Sequence, residues 1–192
     1  MTTLLQSPHK LRRILKDYPV VIVPGLHNSD ENHWQSLWHA QLPGARRISL
    51  DDWSVADLNK WNAGLSQALQ GLDHPAIVIA HSFGTLASAR LAAQYREKIA
   101  GLFLVAPAAP DKFGIRDQLP QSCLPVPTKI VASSNDPWLT EIKAAELALQ
   151  WGADYVRFKE VGHINSDSGL GMWNEGIDEL QNWLRGRRAH AA

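Results

Sequence analysis

Short apolar runs alternate with amphipathic stretches along the chain. The runs are rich in β-branched residues, which is typical of strands buried on both faces of a parallel sheet. Between them, apolar residues recur every three or four positions, which is the spacing of an amphipathic helix. Six strands are predicted, over residues 19–25, 45–50, 75–80, 99–106, 128–133 and 154–161.

Start signals and apolar faces predict the helices between these strands. The loop of residues 26–30, with polar residues at 28–30, supplies an N-cap and acidic first-turn residues for a helix over 31–42. Residues 54–57 have the pattern of a capping box and precede a second helix, whose apolar face runs from Leu58 to Leu69. The helix that follows residues 135–137 is expected to bury a face made of Leu139, Ile142, Ala145 and Leu149.

Strand and helix alternate without a linker, which predicts one α/β domain over residues 18–186. Right-handed crossovers between parallel strands place helices on both faces, so we expect a three-layer fold around a mostly parallel sheet of about six strands. Residues 1–17 form an amphipathic arm that either packs on the domain or frays. Residues 187–192 are a basic tail.

Composition narrows the classes of partner. The 19 Lys and Arg residues balance the 19 Asp and Glu residues, so no net charge attracts nucleic acid. No apolar run reaches the roughly 18 residues of a membrane span. Charges at Lys10, Arg12 and Arg13 interrupt the segment where a secretory signal is apolar. We therefore expect a cytoplasmic protein with no nucleic-acid or membrane partner.

No cofactor, metal or disulfide is expected. The chain has neither a Walker loop nor a G-x-G-x-x-G motif, which argues against nucleotide chemistry. The histidines and acids of residues 27–33 lack H-E-x-x-H spacing, and helix capping accounts for the acids. Cys123 is the single cysteine, lies in a proline-rich stretch and has no nearby base, so a catalytic thiol is not expected either.

The sequence Ala80-His81-Ser82-Phe83-Gly84 joins an apolar strand to a helix rich in small residues. This is the context of a nucleophile elbow, in which a sharp turn lifts a serine hydroxyl above the sheet. The usual pattern is G-x-S-x-G, and Ala80 replaces its first glycine. Taken alone, the motif fits an ordinary strand–helix loop about as well.

Polar residues at the ends of later strands support the catalytic reading. Ligands of a parallel sheet bind at the carboxyl ends of its strands. Ser82, Asp136 and His163 follow three such ends, in the chain order of an α/β-hydrolase triad. Asp111 and Asp154 are weaker candidates for the acid, and His27 and His81 for the base. His81 adjoins the nucleophile, so its side chain is expected to diverge from Ser82.

An acyl-transfer site also needs backbone donors for an oxyanion. The N–H of Phe83 is one, and the N–H of Leu26 is the first choice for the other, with that of His27 second. His27, Asn28 and Trp138 are the candidate substrate contacts. Residues 107–127 are too few for a helical cap domain, so we expect an open site, which the side chain of Phe83 helps to shape.

Several separated motifs together resemble the small α/β-hydrolases of the retinoblastoma-binding-protein-nine and YdeN type. They comprise residues 24–29, the stretch His33-Trp34-Gln35-Ser36-Leu37-Trp38, the pair Asp52-Trp53 with Trp61 downstream, residues 80–84, Asn135-Asp136-Pro137-Trp138 and Gly162-His163-Ile164-Asn165. The resemblance spans about residues 19–184. It implies a compact serine hydrolase with Ser82, Asp136 and His163 as its triad, and it supplies no substrate.

The expected function is hydrolysis of small acyl esters through an acyl-enzyme on Ser82. Thioesters and short amides remain open as substrates. The alternative is a binding or scaffold protein on a hydrolase fold, with a triad that it does not use and a protein partner that is unknown. An unreactive serine together with saturable partner binding would favour that alternative.

Overall fold

The computed structural model describes residues 6–190, with side chains described for residues 9–187. Six parallel strands form one sheet in the order β2-β1-β3-β4-β5-β6. The strands are β1 Val20–Val23, β2 Arg46–Arg47, β3 Ala76–His81, β4 Ile99–Val105, β5 Thr128–Ser133 and β6 Asp154–Phe158. All six predicted strands form, although β2 is reduced to two residues at the edge of the sheet.

Six helices connect and cover these strands. They are α1 Gln6–Leu15, α2 Trp34–Gln41, α3 Leu58–Leu69, α4 Phe83–Ala92, α5 Glu141–Trp151 and α6 Asn174–His190. The N-terminal arm packs rather than frays over its described part, because α1 buries Leu11, Ile14 and Leu15 and contacts α2 and α6. Residues 1–5 of the arm and 191–192 of the tail lie outside the described residues.

The sheet separates two apolar layers, as a three-layer fold requires. On one face, Ile77 and Ile79 of β3 belong to a core that includes Trp34 and Trp38 of α2. On the other face, alternate residues of the same strand pack in a core with Trp61 of α3. Both faces of β3 are therefore buried, which explains its uninterrupted apolar sequence. The three-layer α/β architecture predicted from the sequence is confirmed.

Two predicted helix starts are wrong. His33 caps α2, and its Nδ1 accepts the backbone N–H of Gln35 at 3.1 Å. Residues 28–30 lie in the preceding loop instead. Asp57 alone caps α3, with its carboxylate 2.8 Å from the backbone nitrogen of Asn59. Ser54 takes no part in that cap, because its hydroxyl donates to Asp52 at 2.6 Å.

The predicted apolar face of α5 is also wrong in part. Ile142 and Leu149 are 68% and 84% exposed. The face that packs on the sheet consists of Ala144, Leu147, Ala148 and Trp151. Trp151 decides this orientation: its ring is buried and its Nε1 donates to the carbonyl of Pro120 at 3.0 Å. The larger area of a tryptophan outweighs two aliphatic side chains left in water.

The segment between β4 and β5 contains two short 3₁₀ helices, Pro110–Phe113 and Arg116–Gln118, in otherwise irregular structure. Within residues 6–190 no cap domain covers the sheet. None of the helices in this described range combines the length and the apolar character needed to cross a bilayer.

Candidate active site

Ser82 lies in a sharp turn between β3 and α4. Its backbone has φ 53° and ψ −124°, which a residue with a side chain adopts only under strain. The turn is held because the backbone N–H of Ser82 donates to Val105 on the neighbouring strand at 3.0 Å. This strained geometry is that of a nucleophile elbow.

The two positions that flank the elbow differ in how much space they have. A β-carbon on Gly84 would lie 2.5 Å from the carbonyl oxygen of Pro24 and 2.6 Å from that of Val23, so only glycine fits. Ala80 is fully buried in β3 and its methyl group is accommodated in the core. Alanine therefore fits at position 80, where the motif usually has its first glycine, whereas it would not fit at position 84.

Three side chains from different strand ends meet at the elbow. The imidazole Nε2 of His163 lies 2.9 Å from the hydroxyl oxygen of Ser82. The imidazole Nδ1 lies 2.9 and 3.0 Å from the two carboxylate oxygens of Asp136. The side chains of His163 and Asp136 are 10% and 3% exposed, so the chain of hydrogen bonds is largely shielded from water.

The competing candidates take no part in this chain of hydrogen bonds. Asp111 pairs with Arg116 at 2.5 Å on the surface. Asp154 begins β6, and so lies at the opposite end of a parallel strand from Asp136. His27 is exposed in the loop after β1. The structure therefore joins the three residues that the sequence favoured and leaves these alternatives apart.

The loop after β1 passes directly beside Ser82. A β-carbon on Gly25 would lie 2.7 Å from the β-carbon of Ser82, so the chain that carries Leu26 runs against the nucleophile. The N–H of His27 donates to the carbonyl of Trp53 at 2.9 Å and is not available to an oxyanion. This leaves Leu26 as the better partner for Phe83, whose N–H lies in the first turn of α4 and has no acceptor within the helix.

His27 and Asn28 both have left-handed backbones, with φ of 62° and 64°. The side-chain oxygen of Asn28 accepts from the N–H of Ser29 at 2.8 Å and from Arg47 at 2.5 Å. Arg47 also donates to the carbonyl of Ser29, and burial lowers the pKa of its guanidinium. The oxygen of Asn28 therefore shapes the loop, although the residue also lines the cavity described next.

A cavity of about 560 Å³ opens over Ser82 and His163, a size suited to small molecules. The apolar part of its lining consists of Leu26, Ala108, Ala109, Phe113 and Trp138. The polar part includes His27, Asn28, Asp30, Asn165, Ser166 and Asp167. Trp138 is 52% exposed, and the ammonium of Lys112 lies 3.6 Å from the centre of its ring.

The side chain of Phe83 does not shape this cavity, contrary to the sequence-based expectation. It is fully buried and packs edge-on against Trp61 and Phe113, with ring centroids 5.0 and 5.2 Å apart. Trp61 in turn donates its Nε1–H to the carbonyl of Pro24 at 2.9 Å. Trp61 therefore connects the buried ring of Phe83 to the loop that runs beside Ser82.

Three side chains hold the loop of His163, and the sequence analysis assigned this role to none of them. Asn135 accepts the N–H of Gly162 at 2.8 Å and the hydroxyl of Ser133 at 2.9 Å. Trp34 donates to the carbonyl of Ile164 at 2.8 Å, and the Nε2 of His81 lies 2.9 Å from the carbonyl of His163. Each of the three belongs to a motif quoted above, but a motif does not say which side chain holds which loop.

Two further histidines beside the site are held neutral. Burial lowers the pKa of His33 to about 4, with Arg47 and His163 adding to the shift and Asp30 opposing it. Burial also lowers the pKa of His81 well below its usual range. Across the described residues no group of three or more histidine, cysteine or acidic side chains could hold a metal ion.

A sharp elbow, a Ser-His-Asp hydrogen-bond chain and a six-stranded parallel sheet define an α/β-hydrolase. The serine hydrolase family model matches residues 20–182, and the chain belongs to that family. A YdeN-like hydrolase from Pectobacterium atrosepticum is 38% identical with a TM-score of 0.88, covering 94% of this chain and 97% of that chain. Comparison with curated proteins gives no match.

More distant structures share the fold. The ydeN gene product of Bacillus subtilis is 20% identical with a TM-score of 0.71, over 88% of this chain and 99% of that chain. Est1E from Butyrivibrio proteoclasticus, solved with ferulic acid bound, is 17% identical with a TM-score of 0.67, over 88% of this chain and 90% of that chain. The chain is thus a small serine hydrolase of the YdeN type.

Proposed function

We propose that the protein hydrolyses small carboxylic esters, with Ser82 as nucleophile, His163 as general base and Asp136 as the residue that orients the imidazole. The observation that carries this proposal is the continuous hydrogen-bond chain from Ser82 through His163 to Asp136. A non-catalytic binding protein has no need for these three groups in bonding distance at a strained serine.

The roles follow from which atoms can carry protons. The carboxylate of Asp136 only accepts, so Nδ1 of His163 carries the proton and Nε2 is free to receive one. When the Ser82 oxygen attacks the ester carbonyl, its proton passes to Nε2. His163 then gives that proton to the departing alcohol. Water repeats the sequence on the acyl-enzyme, releasing the acid and restoring the serine.

Negative charge that develops on the carbonyl oxygen needs donors already in position. The backbone N–H groups of Phe83 and Leu26 are proposed for this role. The close approach of Gly25 to Ser82 supports the assignment to Leu26. The N-terminus of α4 adds the positive end of a helix dipole at the same place.

We further propose that the apolar residues of the cavity lining accommodate the organic part of the ester, with Trp138 as the most exposed of them. His27 and Asn28 also line the cavity and are the proposed polar contacts of the substrate. Esters are the first choice of substrate, because an alkoxide or phenoxide is a better leaving group than an amide nitrogen.

A series of p-nitrophenyl esters of increasing acyl length tests this function. The expected result is turnover of short and medium chains by the wild-type protein and its loss in Ser82→Ala. The exposed serine Ser54 provides a matched control, and Ser54→Ala is expected to retain full activity. Equal turnover by wild type and Ser82→Ala would contradict the proposal.

A further inference from the structure

The residue before the nucleophile, His81, contacts the base that serves the nucleophile. His81 is the last residue of β3 and is 5% exposed. Its Nε2 lies 2.9 Å from the backbone carbonyl of His163, 82 positions along the chain. Its ring centroid lies 4.9 Å from that of the His163 imidazole.

The carbonyl of His163 determines which ring nitrogen of His81 carries the proton. A carbonyl oxygen only accepts hydrogen bonds, so Nε2 of His81 carries the proton and donates it. In the neutral ring Nδ1 is then unprotonated. The groups that face this ring are the imidazoles of His33 and His163, with centroids 4.8 and 4.9 Å away, and the indole of Trp34 at 6.3 Å.

The loop that carries His163 has an unusual backbone conformation, which hydrogen bonds from outside the loop hold in place. Gly162 and Ile164, on either side of the histidine, have left-handed backbones with φ of 58° and 50°. Asn135 holds the N–H before His163, and Trp34 holds the carbonyl after it. The carbonyl of His163 itself, which lies between these two, is held by His81.

We infer that His81 is a positioning residue, which ties the loop of the base to the strand of the nucleophile and so fixes the distance from His163 to Ser82. The inference rests on the proposed function. His81 occupies the x position before the serine in the G-x-S-x-G motif, and the hydrolytic mechanism itself gives this position no role. A shift of about 1 Å between reacting groups can cost on the order of 100-fold in rate.

Two substitutions of nearly equal length separate this role from simple packing. His81→Gln keeps an N–H donor that can reach the carbonyl of His163, whereas His81→Met fills similar space without a donor. We expect kcat of His81→Met to fall about 10- to 100-fold with KM changed less than about threefold. We expect His81→Gln to recover most of that loss.

Trp151→Phe is the matched control. The Nε1–H of Trp151 donates to the carbonyl of Pro120 at 3.0 Å, so this variant also removes a ring donor from a loop carbonyl, but away from His163. It is expected to lower the melting temperature while leaving kcat unchanged. If His81→Met does not fold, His81→Phe provides the donor-free comparison, since it keeps an aromatic ring.

Equal kcat in the Gln and donor-free variants, or a donor-free variant within about twofold of wild type, would overturn the inference. Failure of the proposed function is distinguishable from this outcome. If the proposed function fails, Ser82→Ala turns over the ester as fast as wild type does. If only the inference about His81 fails, Ser82→Ala is inactive and the His81 variants have equal kcat.

Discussion

Gly25 lies so close to Ser82 that a β-carbon on Gly25 would come within 2.7 Å of the β-carbon of the serine. Such a separation is shorter than carbon atoms can accept, so a side chain at this position must push the loop or the elbow aside. The two residues belong to different strand ends, and Leu26, the proposed second oxyanion donor, follows Gly25 directly.

Substitution Gly25→Ala should therefore damage activity more than stability. We expect kcat/KM for a p-nitrophenyl ester to fall at least about 10-fold, which is part of the roughly 10²- to 10³-fold loss caused by removing an oxyanion donor. The measurement is steady-state kinetics beside circular dichroism. Gly186→Ala is the control and should keep wild-type rates, because among the described residues no atom outside its own helix lies within 4 Å of the added β-carbon.

Asp136→Asn should lower kcat by about 10³- to 10⁴-fold, because an amide can present its N–H to the imidazole and stabilise the wrong tautomer. Asp154→Asn is the matched control, since Asp154 is exposed at the far end of its strand. Comparable activity in the two variants would remove Asp136 from the mechanism.

Trp138→Ala should weaken catalysis on esters with bulky or aromatic groups. Loss of the apolar contact between the Trp138 ring and the bound ester should weaken binding by about 1.4 kcal/mol. This corresponds to about 10-fold in kcat/KM and is expected mainly in KM. Stability should change little, because the side chain is 52% exposed. Tyr95→Ala removes another exposed aromatic ring, 42% exposed and outside the cavity, and should not alter kinetics. Equal KM values for wild type and Trp138→Ala would contradict this role.

The stability of the protein should fall as pH drops below neutrality, in part because of His33. Its pKa is lowered from 6.5 to about 4 in the folded state, so between these values the unfolded chain binds more protons. The contribution of neutral His33 to the free energy of unfolding is complete above pH 6.5. It decreases as the pH falls toward 4, by on the order of 3 kcal/mol.

Urea unfolding of wild type and His33→Asn at pH 7 and pH 4.5 measures this contribution. Asparagine can still cap α2 but does not titrate. The variant should lose less stability between the two pH values, because the titrating groups that do not interact with His33 act alike in both proteins. Parallel losses would show that His33 is not held neutral by the fold.

Most of the fold could be predicted from the sequence because it depends on local patterns. Uninterrupted apolar runs such as Ile77–Ala80 locate the central strands, and parallel topology then brings their carboxyl ends together. The proximity of Ser82, Asp136 and His163 follows from that topology. Asp154 fails as an alternative for the same reason, since it begins a strand rather than following one.

Long-range packing determined what the sequence could not reveal. The face of α5 depends on Trp151 reaching Pro120, which no helical period encodes. His33, not residues 28–30, caps α2, and the sequence offers several equivalent polar candidates there. The contact of His81 with the loop of His163 joins residues far apart in sequence, and only the folded chain brings them within hydrogen-bonding distance.

Labelling with a fluorophosphonate probe tests the central claim most directly, because the probe reacts with an activated serine through displacement of fluoride and needs no natural substrate. We predict one equivalent of adduct on the peptide that contains Ser82 in the folded wild-type protein, and none in Ser82→Ala or in protein unfolded by urea. An unmodified Ser82 in the folded protein, or equal labelling of wild type and Ser82→Ala, would contradict the account.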